Sequence, residues 1–285
     1  IVVTIPQIKK AIPENLIIEE KKGKFILKAN LDIQNGVTLS LDEKEVTWLK
    51  LSSDKKNFVH LGINNGALII NGSKISSWDE TKKNVDKNYE DGRSFVVTNY
   101  ATLISIENSE ISYLGYPNAH RNETHGFSLK IPEKSKNEYL LTGSVKGSRF
   151  HDNFVGAYTS GAKEITWSKN RFYNNITHGF YADRNSERFI IKDNLVYGNG
   201  KHGILLSNKS SYNTILGNDV YGNTLYGIAV TDSERISLKQ NSLSHNNIGI
   251  VLNNANSNDI EKNKVLENDI GIRLEESNSN NINDN

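Results

Sequence analysis

The chain has 285 residues, a formal net charge of +1, and neither cysteine nor methionine. So balanced a charge gives no global field that would single out nucleic acid or a membrane surface, and attraction for a charged polymer has to be local. Without cysteine there is no disulfide framework and no thiolate metal site, and no run approaches the ~18 apolar residues of a membrane-spanning helix.

Residues 1–23, with Pro6 and Pro13, read as a lead-in that caps an open end, and 24–285 as one continuous domain. Because the chain starts at Ile1 and finishes in mid-repeat at Ser277–Asn285, it reads as a mature or trimmed piece of a longer protein. Phe25–Ile33, Val46–Leu51, Ala67–Ile70, Phe95–Val97 and Leu103–Ile106 have the β-branched, apolar texture of strands. The charged stretch at 78–92 and the stretch 131–139 read as loop excursions.

From residue 126 the chain repeats. Glycines fall at 126, 156, 179, 203, 227, 249 and 271, in steps of 30, 23, 24, 24, 22 and 22. The second excursion accounts for the long first step. Asn170, Asn194, Asn218, Asn241, Asn263 and Asn285 keep the same period, and so do Asn199, Asn223, Asn246 and Asn268. Each unit carries short strands such as Ile204-Leu205-Leu206, separated by Asn, Gly and Ser, which exclude an unbroken helical pattern. A unit of this size buries its apolar face only by stacking on its neighbours. The expectation is an all-β, right-handed parallel β-helix with coils of about 22–24 residues. Equivalent asparagines on consecutive coils are then expected to form ladders inside the turns.

Strand alternation sorts the face after each glycine. With Phe180 and Ala182 inward, Tyr181 and Asp183 point outward, and the same register exposes Ser128/Lys130, Tyr158/Ser160 and Leu205/Ser207. His125, His178, His202 and Tyr226 each precede a glycine mark, so three of the seven histidines share one repeat position. A single histidine there would be structural; three in register beside a stripe bearing Tyr and Lys point to a site. The polar stripe by itself is equally consistent with a solvated sheet.

The segments Ser109–Tyr116, His125–Leu129, His178-Gly179-Phe180, Phe189–Asn194 and Gly200–Ser207 resemble the mannuronan C5-epimerases of alginate biosynthesis over roughly Gly66 to Asn285. That family follows a Tyr-Gly pair with an Asp-Pro-His signature that supplies catalytic groups. The matching positions here are His178-Gly179-Phe180-Tyr181-Ala182-Asp183, and a family Arg is replaced by Asn208 with Lys209 beside it. The resemblance therefore implies the scaffold and its groove, with a rearranged acid and base. Epimerisation removes the C5 proton alpha to a carboxylate whose charge has been neutralised, then returns a proton on the opposite face. The expected catalytic set is His178, Tyr181, Asp183 and His202. Substrate binding is expected from His125, Lys130, Tyr158, Arg184, Lys201, Lys209 and Tyr226.

A lyase using β-elimination on the same scaffold is the first alternative, and a non-catalytic carbohydrate-binding or periplasmic accessory β-helix the second. Hydrolysis comes third, because Asp183 has no acidic partner on the neighbouring outward pairs. No cofactor is required and no transition metal is expected; Asn- and Asp-rich turns would admit calcium. The expected partner is an anionic polysaccharide, with no nucleic acid and no membrane span. A monomer is expected, outside the cell, in the periplasm or at the cell surface.

Overall fold

A computed structural model describes residues 1–55, 57–118, 122–132 and 140–285. The expected loop at 131–139 falls mostly outside the described residues. Three parallel sheets run the length of the molecule, sheets A and B with eleven strands and sheet C with ten. The chain visits C, A and B in turn, as in Val155–Ser160, Ile165–Ser168 and Arg171–Tyr173, and then returns to C at Phe180–Asp183. This is a parallel β-helix. At one end Val2–Thr4 joins sheet A, the helix Ile5–Ala11 follows, and Ile17–Lys21 pairs antiparallel with Lys24–Leu27. The apolar run 25–33 turns a corner and serves two sheets, as Lys24–Leu27 in B and Leu31–Ile33 in C.

Inward side chains from all three sheets form one continuous core. Phe127, Leu129, Ala157, Phe180, Ala182, Ile204, Leu206, Ile228 and Val230 come from sheet C, and all are fully buried. The excursion before Phe95–Asn99 is held by buried Arg93, whose guanidinium donates to the carbonyls of Gly115 (2.9 Å) and Leu114 (3.1 Å).

The turns are tied by asparagine ladders. Asn170, Asn194, Asn218, Asn241, Asn263 and Asn285 are linked Nδ2 to Oδ1 at 2.8–3.1 Å. Each Oδ1 also accepts a backbone N–H of the preceding rung, from Ser148 at Asn170 and from an asparagine at the others, as Asn218 does from Asn194 at 2.9 Å. Each Nδ2 also reaches a carbonyl, so these buried amides are satisfied without water. A second ladder runs from Asn175 through Asn199, Asn223 and Asn246 to Asn268. The glycine column marks where coil meets coil. A Cβ on Gly203 would lie 2.7 Å from the Gly227 carbonyl oxygen and 2.7 Å from Val220 Cγ1.

Asn218→Ala strips Asn194 of the acceptor for two donors, so at about 1–3 kcal/mol per buried group left unsatisfied it should lower the unfolding midpoint markedly. Asn247→Ala removes an exposed amide that bonds only Asp269 and should move the midpoint little. Thermal or urea melts of the two variants decide whether the ladder holds the solenoid.

Candidate functional site

The site lies on the outer face of sheet C. Tyr158, Tyr181 and Leu205 stand in one column, and Ser160 and Asp183 pair in the next. Phe180 and Ala182 point into the core, so Tyr181 and Asp183 point away from it, as alternation requires.

Outward does not mean open. Asp183 is 3% exposed because neighbouring coils close over it. Tyr158 Oη donates to its Oδ2 at 2.7 Å, Asn208 Nδ2 donates to Oδ1 at 2.7 Å and Ser207 Oγ lies 3.3 Å from Oδ1. Arg184 Nε is 3.5 Å away. Asp183 is therefore an anchor joining three coils, and the expectation that it lies in an open groove is corrected. Tyr158 is also corrected: it is fully buried, edge-on to His125 (4.7 Å between centroids) and to Tyr181 (5.3 Å), with no face left for a sugar. Tyr181 is half-buried, and its hydroxyl oxygen accepts from Ser207 Oγ at 3.2 Å. Alternation shows which side a residue takes, but not whether the adjacent coil covers it. Ser207 was the missed member, and its signal was its place one coil above Asp183.

The histidine column lies where each coil enters sheet C. His178 stacks on His202 with centroids 4.9 Å apart, and His202 stacks on Tyr226 at 4.6 Å. His125 stands apart, packed on Phe154 and Tyr158. Burial first, then the charges of His202, Lys201 and His125, hold His178 well below the usual imidazole range. Burial and Lys201 bring His202 down to about 4. Burial and the Asp183 charge push the Tyr181 phenol up. At neutral pH the site thus presents unprotonated imidazoles beside a protonated phenol, with the His178 and Tyr181 rings 5.3 Å apart.

The cations gather at the other end of the strand. Lys130 and Arg184 line a cavity of about 220 Å³ with Ser160 and Asn185. Arg184 and Lys209 line an adjoining one of about 890 Å³ with Asn208, Tyr212, Asp232 and Glu234. Lys201 instead lies exposed on the corner beside the histidines, and Tyr226 Oη accepts from Arg273 at 3.1 Å. The sequence-selected residues therefore divide into a histidine end and an end where Lys130, Arg184 and Lys209 stand among Glu187, Asp232 and Glu234, with Tyr181 between them. A strand rises about 3.3 Å per residue, so the interval from 178 to 184 spans about 20 Å, the length of several sugars in a chain.

Residues 86–285 match the family model for the periplasmic copper-binding protein NosD. The chain is 28% identical over 200 residues to the mannuronan C5-epimerase of Pseudomonas aeruginosa, and 29% over 201 residues to the mannuronan C5-epimerase AlgG of Azotobacter vinelandii. Each match takes in 68% of this chain but only 36% and 37% of those proteins, so the chain spans about a third of the length of the curated relatives it matches. The crystal structure of the periplasmic alginate epimerase AlgG superposes with a TM-score of 0.86 at 23% identity, over 97% of this chain and 66% of that one. The A-module of the Azotobacter vinelandii mannuronan C-5 epimerase AlgE6 follows at 0.60 and 15%, over 90% and 69%. At these identities the structural likeness is one of fold.

Among the described residues the donor set does not fit copper. The sequence has no thiolate or thioether ligand. His178 and His202 lie ring on ring at 26°, so their nitrogens run side by side rather than toward a common centre. Among the described residues no group of three His, Asp or Glu is arranged to hold a metal ion.

An NMR titration of the histidine ring carbons tests the electrostatics. His202 should show a midpoint near pH 4 and His178 one well below 6.5. A midpoint near 6.5 for either ring would show that the column is open to water.

Proposed function

Because this chain belongs to the NosD family of periplasmic copper-binding proteins and sets an unprotonated histidine beside a protonated tyrosine on an outward strand, we propose that it epimerises a uronate polymer at C5. The observation that carries the reading is the His178–Tyr181 pair at one end of the strand with Arg184, Lys130 and Lys209 toward the other. The sequence likeness to mannuronan C5-epimerases supports it.

In this reading Arg184, Lys130 and Lys209 hold carboxylates of sugars farther along the chain, and the reacting sugar's own carboxylate meets the ammonium of Lys201 beside the histidines. Neutralising it lets the electron pair of the breaking C5–H bond delocalise onto the carboxylate oxygens. The His178 imidazole takes the C5 proton, and burial keeps it free to do so at neutral pH. The Tyr181 hydroxyl delivers a proton to C5 from the opposite face. After the product leaves, the imidazolium gives up its proton to solvent and the phenolate takes one from solvent, which restores both groups. His202 and Tyr226 hold the His178 ring from one side, while Asp183 fixes Tyr158 and, through Ser207, the Tyr181 hydroxyl. The Asp-Pro-His signature is not needed in this arrangement, and no step passes through a metal. The NosD and AlgG names are both periplasmic, and among the described residues no helix is long and apolar enough to cross a membrane; we propose a periplasmic or cell-surface location.

Incubation with polymannuronate in deuterated water should place deuterium at C5 without shortening the chain. Unsaturated chain ends would replace this reading with a lyase. Binding with neither change would make the chain a carbohydrate-binding protein. His178→Ala and Tyr181→Phe should each lower turnover by about 10²–10⁴-fold, the range of a lost acid or base, while changing affinity only a few-fold. Lys209→Ala should weaken binding in a salt-dependent way, whereas Lys264→Ala, on a distant coil of sheet B, should not. Activity should show no inflection near pH 6.5. With the base's folded pKa depressed, the acid limb appears only as pH falls below the ordinary imidazole range. Chelators should leave turnover unchanged.

A further inference from the structure

Around the corner from the histidine column, sheet B carries a second row of aromatic rings outside the site described above. His151, Tyr173, Tyr197 and Tyr221 occupy one column on consecutive coils. Their rings stack with centroids 4.7, 5.2 and 5.2 Å apart and planes within 10° of parallel. Because the rings lie face on face, they present their edges, and with them the hydroxyl groups, to solvent. All three tyrosines are half-buried, and among the described residues their hydroxyls make no hydrogen bond. In the adjacent column, level with Tyr173, the exposed guanidinium of Arg171 has no carboxylate partner among the described residues. Arg149, its partner on the preceding coil, is by contrast held by Glu110 at 2.8 Å. Lys201 stands on the turn between Tyr197 and His202, unburied.

We propose that this face of sheet B is a second, non-catalytic binding track for a uronate chain lying along the solenoid axis. The proposal rests on the reading that the substrate is a uronate polymer. A β-helix repeats its surface every ~4.8 Å, close to the length of one pyranose unit, so successive tyrosyl hydroxyls meet successive sugars in the same way. A phenolic hydroxyl both donates and accepts, which suits it to sugar hydroxyls. The planar fork of Arg171 suits a carboxylate. Stacking alone accounts for the rings, but it accounts neither for hydroxyls left without protein partners nor for an unpaired guanidinium in the next column. A chain long enough to engage both this track and the groove on sheet C gains affinity from the tether between them.

Arg171→Gln and Tyr197→Phe test this without disturbing the fold, since the first changes an exposed side chain and the second keeps the ring stack and removes only the hydroxyl. Affinity for long polymannuronate should fall by about three- to tenfold in each variant. Turnover on mannuronate trimers, too short to span both faces, should stay at the parent's value. Unchanged affinity in both variants overturns the proposal, and equal weakening for a neutral glucan overturns the choice of a uronate. Deuterium exchange on trimers by the parent is read separately. Its absence sinks the catalytic reading, while the affinity comparison still reports on the tyrosine track.

Discussion

From Asn170 onward the surface of this molecule depends on the asparagine ladders that hold each coil to the next. A parallel coil needs a sharp corner, and a corner leaves backbone donors and acceptors that no strand partner can reach. The column from Asn170 to Asn285 supplies both kinds of partner from one side chain, inside the turn. The ladders and the strand pairing together set the coil-to-coil spacing. Columns of outward residues therefore come into register, so that rings as far apart in the chain as His178 and His202 can stack.

Much of this was legible in the sequence because ladders and coil contacts constrain residue type. Only an amide both accepts and donates in the required way, and only glycine survives where Gly203 meets the carbonyl of Gly227. Those demands recur with each coil, so the period is visible as spacing. The outward column of Tyr158, Tyr181 and Leu205 followed from alternation for the same reason.

The candidate site was less legible. The sequence places Tyr158 and Asp183 on the outer face, but their burial results from contacts between residues 24 or 25 apart: Tyr158 with Asp183, and Asp183 with Ser207 and Asn208. No local pattern records such a contact. The shared position of the histidines was readable, but their lack of charge was not, because it comes from desolvation and from Lys201. The tyrosines of sheet B repeat with the same regularity as the histidines. They drew less notice in the sequence because each is an unremarkable strand residue, and their meaning appears only when rings from three coils lie in line.

The stacking of His178 on His202 has a consequence for how the site handles acid. Two imidazoles 4.9 Å apart in a water-poor corner repel one another once either is charged. With both rings held below the usual imidazole range, the pair stays uncharged through mild acid, and a first proton on either ring opposes a second. Tyr226 closes the far end of the stack and covers the outer face of the His202 ring. The geometry gives the solenoid a pair of neutral imidazoles built across adjacent coils.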